Sequence, residues 1–116
     1  MNADSELPIF VYWFEFVNWF LPLSDKLPKK VRFSITQRMC NLVLDIVEDL
    51  TEARYSRDKM TTLRAANLKL EKLRILLRLS VEQKFVAQKS YQYAIKRINE
   101  TGKMLGGWIK SQEQRT

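Results

Sequence analysis

The 116-residue sequence has no histidine, one cysteine, three glycines and three prolines. Each shortage removes a class of function. Without histidine, no Ser–His or Cys–His pair can activate a nucleophile, and a bundle cannot assemble the Glu-x-x-His set of a di-iron site. One cysteine and no histidine leave no zinc ligand set. No glycine-rich phosphate loop is present. The chain is therefore expected not to be an enzyme, with no catalytic residue, metal or cofactor. The lone Cys40 allows no intrachain disulfide, fits a reducing, cytoplasmic compartment, and reads as a small core residue among apolar neighbours.

Long uncharged apolar runs are also missing. Residues 7–23 (LPIFVYWFEFVNWFLPL) come nearest, but Glu15 and Asn18 sit in the middle and Pro22 closes the run. The stretch is also short for a bilayer core of about 30 Å, so no membrane contact is expected. The acidic start, residues 1–6 (MNADSE), lacks the basic opening of a signal peptide and is expected to fray.

What is present is helical periodicity. Apolar content of 46% and charged content of 28% suit a folded chain, and little glycine or proline interrupts it. One domain over residues 1–116 is expected, with helices at about 8–22, 33–55, 58–83 and 88–107 and a tail at 111–116. In the first helix Ile9, Tyr12, Trp13, Phe16, Val17 and Phe20 make one broad face, while Phe10, Val11, Phe14 and Trp19 spread apolar surface over most of the rest. A helix apolar nearly all round needs two burial partners, its own bundle and another subunit. The second helix has a buried stripe through Ile35, Met39, Leu42, Ile46, Leu50 and Ala53, and an acidic outer face of Asp45, Glu48, Asp49 and Glu52. Ser56 or Asp58 is placed to cap the third helix after a short turn. There Leu63, Ala66, Leu70, Leu73 and Leu77 form the seam, widened by Leu68, Ile75, Leu76 and Leu79.

Between the third and fourth helices neither proline nor glycine marks a break. A turn is placed near residues 84–88 because a hairpin buries both seams. The fourth helix then packs Tyr91, Ile95, Ile98, Gly102, Leu105 and Ile109 and stops at Gly106–Gly107, with Met104 and Trp108 to one side as a second contact surface. Short links give an antiparallel up-and-down four-helix bundle, with Ala66 and Gly102 allowing close helix approach.

Charge is unevenly spread over this frame. The net charge is +7, yet residues 1–58 hold 7 basic and 9 acidic side chains, while residues 59–116 hold 13 basic and 4 acidic. Such segregation points to a polyanionic partner. Lys89, Lys96, Lys103 and Lys110 recur every seven residues on the side turned from the seam, about 10 Å apart along the axis. Arg64, Arg74, Arg78 and Lys72 line the third helix, and Arg97 adds a cation to the fourth. Glu71 can pair with Arg74 or Lys72, which leaves Arg78 free for a phosphate. Few exposed aromatics are expected on the basic face, so base stacking and sequence specificity should be slight.

LPKKVRFSITQRM after the aromatic first helix, EARY closing the second, LEKLRILLRLS in the third and TGKMLGGWIK at the end occur in this order. Together they resemble the Avd (accessory variability determinant) proteins of diversity-generating retroelements over about residues 7–110. The resemblance implies a non-catalytic accessory protein, a ring-shaped homopentamer of four-helix bundles. Such a protein binds RNA and cDNA through a basic surface and associates with the retroelement's reverse transcriptase during mutagenic cDNA synthesis. Arg74 and Arg78 fall on the family's paired arginines, and Lys30 and Arg32 on its basic pre-helix element. Related bundles encoded in ribosomal RNA intervening sequences are the alternative, implying an oligomeric scaffold that docks an acidic protein or RNA without a reverse transcriptase.

Overall fold

A computed structural model describes residues 3–115, with side chains described for residues 8–115. Four α-helices follow one another: α1 (Ala3–Ser24), α2 (Gln37–Tyr55), α3 (Lys59–Glu82) and α4 (Gln88–Glu113). No strand occurs among the described residues. α1 packs on α2 and α4, and α3 packs on the same two, giving an up-and-down bundle of 46 × 24 × 20 Å.

The core follows from the apolar periods. Ile9, Trp13, Phe16, Val17 and Phe20 of α1 are buried, as are Leu63, Ala66, Leu70, Leu73 and Leu77 of α3. Trp13 stacks on Phe16 at 4.7 Å, and its Nε1 donates a buried hydrogen bond of 3.1 Å to the Val43 carbonyl. That bond joins α1 to α2 and satisfies the one polar atom of a fully buried indole.

Several boundaries differ from the sequence reading. α1 begins at Ala3, so the part of the expected frayed start that can be judged is helical; residues 1–2 lie outside the described residues. Pro22 does not close the helix but sits in its last turn. Residues 29–36, where α2 was expected to begin, wind first as a 3-10 turn (Lys29–Val31) and then as a π-helical turn (Arg32–Thr36). The wider π turn leaves Phe33 84% exposed while Thr36 turns inward. Neither Ser56 nor Asp58 caps α3 with a side chain; instead the Lys59 ammonium donates to the Ala53 and Arg54 carbonyls at the end of α2. α4 runs through Gly106–Gly107 to Glu113, so the first half of the expected tail is helix; residue 116 lies outside the described residues.

The seam of α4 is rotated by about one residue from the expected one. Ala94, Ile98, Thr101, Leu105 and Trp108 are buried, while Tyr91, Ile95, Gly102 and Ile109 are half-buried. Burying the Trp108 indole removes more apolar surface than any side chain it displaces. Thr101 is tolerated inside because its hydroxyl donates to the Arg97 carbonyl at 2.9 Å. Gly102 allows no close helix approach: a Cβ added at Gly102, Gly106 or Gly107 would meet nothing within 4 Å. Leu68, Ile75 and Leu79 do not widen the α3 seam but are exposed, and their spacing sets them on the opposite side of the helix.

The break before α4 is made by a residue that gives no warning in the sequence. Lys84 adopts φ 64°, and the Phe85 N–H reaches back to the Ser80 carbonyl at 2.8 Å, the closing bond of a Schellman motif. Val86 then buries itself against the core. A left-handed lysine costs roughly 1 kcal/mol relative to glycine. Lys84→Gly is therefore expected to raise the melting temperature by a few degrees in a thermal melt.

Candidate nucleic-acid interface

Of the eleven cations singled out in the sequence, the structure separates those held in internal pairs from those left open. Lys89, Lys96, Lys103 and Lys110 are all exposed, opposite the buried stripe of α4, and none pairs with a carboxylate among the described residues. The rise of an α-helix spreads them over about 30 Å, most of the length of α4. Lys96 and Lys103 line a shallow depression of about 470 Å³ together with Tyr91, Ile95 and Asn99. Glu100 shares that depression but makes no ion pair with either lysine.

Four of the arginines, Arg64, Arg74, Arg78 and Arg97, hold partners within the bundle. Arg97 lies between α4 and α1, its side chain only 14% exposed. Its guanidinium sits 3.7 Å above the Tyr12 ring, donates to the Tyr12 carbonyl at 2.7 Å and meets Glu15 at 3.1 Å. Glu15, set in the aromatic stretch of the first helix, is thus a helix–helix contact. Arg74 pairs with Glu71 and donates to Asn99 Oδ1 at 2.9 Å, tying α3 to α4. Arg78 is not free: Glu82, one turn on, meets it at 3.1 Å. Arg64 reaches Glu113 across the same helix pair at 3.3 Å. The Arg78 and Arg64 pairs are largely exposed and worth only a few tenths of a kcal/mol, so a phosphate can displace them cheaply. The Arg97 clamp is different, because lysine cannot reproduce both the fork and the ring stack. Arg97→Lys is expected to cost about 1–2 kcal/mol in a denaturant titration, without a change in net charge.

Lys72 is exposed, without an ion pair among the described residues, and lines an α2–α3 groove of about 430 Å³ with Arg38, Asp45 and Ile75. Lys30 and Arg32 are exposed at the end of the bundle where α4 starts; the Lys30 ammonium lies 5.6 Å from the Phe85 ring. Around them are cations the sequence reading passed over, Lys26, Lys29 and Arg38, all exposed. The PKKVRF run, with three cations and an aromatic in six residues, was the available signal.

The residues expected to meet another subunit also divide. Trp108 is 6% exposed and packs into the protomer's own core rather than to one side of the seam. Trp19 packs on Tyr93 at 4.5 Å, Met104 is half-buried against the core, and Phe10 stacks on Phe14 at 5.0 Å. Phe14 remains 45% exposed beside Val11 at 47%. No helix among the described residues is long and apolar enough to cross a membrane, and no His, Cys, Asp or Glu group among them could hold a metal ion.

The model of a known family, described as bAvd-like, matches residues 11–112, which take in α2, α3, all four lysines and the basic turn before α2. The chain belongs to the bAvd-like family. The bAvd-like bundle is similar to a crystal structure of a protein of unknown function from the S23 ribosomal protein family of Bacteroides thetaiotaomicron. That likeness has a TM-score of 0.83 at 19% identity and covers 91% of this chain and 98% of the other, which speaks for the fold. None of the curated proteins matches this chain.

Proposed function

We propose that this bAvd-like protein is a non-catalytic accessory subunit of a diversity-generating retroelement. It binds template RNA and cDNA along its lysine row and associates with the reverse transcriptase to support mutagenic cDNA synthesis. The observation that carries this reading is the row Lys89–Lys96–Lys103–Lys110, exposed and without carboxylate partners among the described residues. Cations left open in this way attract phosphates and release counterions on binding. Membership of the bAvd-like family supports the retroelement context that the resemblance to Avd proteins implies.

The same reading includes a ring of five copies, which would repeat the +7 charge around one particle. Two exposed apolar sets support subunit contacts, Val11 with Phe14 on α1 and Leu68 with Ile75 and Leu79 on α3. A tagged protein co-expressed with the retroelement's reverse transcriptase tests the association. Retention of the polymerase before and after nuclease treatment is expected; loss of retention in both conditions contradicts it.

A further inference from the structure

The segment joining α1 to α2 carries features that the lysine row does not. Between Lys26 and Arg38 lie five cations, Lys26, Lys29, Lys30, Arg32 and Arg38, all exposed and none in an ion pair among the described residues. In their midst Phe33 is 84% exposed, more than any other large apolar side chain described. Beside it opens a cavity of about 240 Å³ between the end of α1 and the start of α2, lined by Phe33, Arg32, Thr36, Gln37 and Asp25 among others.

Thr36 is 8% exposed, yet its Oγ1 has no hydrogen-bond partner among the described residues. Three other helical hydroxyls bond back to the carbonyl four residues earlier, Thr51 to Val47, Ser80 to Leu76 and Thr101 to Arg97. For Thr36 that carbonyl is Arg32, which accepts from the Gln37 N–H across the π turn and receives no bond from the Thr36 hydroxyl. A buried hydroxyl without a partner normally costs about 1–3 kcal/mol, so this one invites a polar group from outside.

We propose that this cavity receives one unstacked base of a single-stranded nucleic acid. Phe33 stacks on the base, Thr36 Oγ1 and the Gln37 amide meet its polar edge, and Lys29 and Lys30 take the flanking phosphates. The proposal rests on the nucleic-acid reading above and adds to it a contact that senses bases, where the sequence led us to expect none. Single strands are recognised in this way because their bases can splay onto aromatic rings while phosphates follow a basic groove.

Fluorescence anisotropy with three probes tests it: a single-stranded oligoribonucleotide, the same strand with abasic sites, and an RNA duplex. Phe33→Ala is expected to weaken single-strand binding about 5- to 100-fold and to leave abasic and duplex binding unmoved, while Phe33→Trp restores it. Thr36→Val, close in shape, removes the unpartnered hydroxyl, so it should raise the melting temperature by a few degrees and, with single-stranded homopolymers of the four bases as further probes, narrow the differences among them. Wild-type binding to the single strand that Phe33→Ala leaves unchanged, or weakens equally for the duplex, overturns the pocket alone. Wild-type protein that binds none of the probes at low salt overturns the nucleic-acid reading as well. Loss of reverse transcriptase capture by Phe33→Ala with nucleic-acid affinity intact assigns the ring to a protein contact and overturns the pocket.

Discussion

Replacing Lys89, Lys96, Lys103 and Lys110 together by glutamine is expected to lower RNA affinity by two orders of magnitude or more near 0.1 M salt. For a single strand each phosphate contact contributes about 0.7 to the slope of log affinity against log salt. Four contacts then account for a slope of about 3, and at 0.1 M salt for nearly three decades of affinity. Because all four side chains are exposed and unpaired among the described residues, their removal breaks no internal bond. Far-ultraviolet circular dichroism and the melting temperature should stay at the wild-type values. Arg74→Gln and Arg97→Gln make the useful contrast, since each cuts a contact between helices. They should lower the melting temperature while changing the slope little. An affinity unchanged in the quadruple variant would remove the lysine row from the interface.

The second large effect concerns the bundle itself. Trp13→Ala is expected to destabilise the protein by about 3–5 kcal/mol, a large share of the roughly 5–15 kcal/mol that holds a domain folded. The indole is fully buried, is stacked on Phe16, and carries the hydrogen bond to the Val43 carbonyl. A thermal melt should show a fall of about 10 °C or more. Trp13→Phe keeps most of the apolar volume and loses the donor, so a cost of about 1–2 kcal/mol is expected. A fall of under about 3 °C for Trp13→Ala would mean that the α1–α2 contact is not what anchors the first helix.

Much of this architecture is legible before any coordinates. The α3 seam from Leu63 to Leu77 is buried throughout, because a strict seven-residue repeat of leucine and alanine admits one orientation only. α4 is harder to read, since its half-exposed side carries Tyr91, Ile95 and Ile109 and competes with the true seam. The decision between them turns on Trp108, whose burial depends on how much room the neighbouring helices leave. Lysines opposite the seam stay exposed under either register, so a one-residue rotation does not change their reading.

The arginine partners are a different matter. Asn99 for Arg74, Glu113 for Arg64 and Tyr12 with Glu15 for Arg97 lie 25 to 85 residues away in sequence. Only the assembled bundle brings them together. Phe33 was missed for a local reason: a π turn, rather than the start of an α-helix, swings it outward into the basic segment.

The most direct test is a salt titration of wild-type protein on single-stranded RNA, read by anisotropy between about 50 and 300 mM monovalent salt, a range in which counterion release governs phosphate binding. Expected is a straight log–log plot with a slope of −3 or steeper. A slope near zero, or no RNA bound at the lowest salt, contradicts the claim that this bundle presents its open lysines to phosphates.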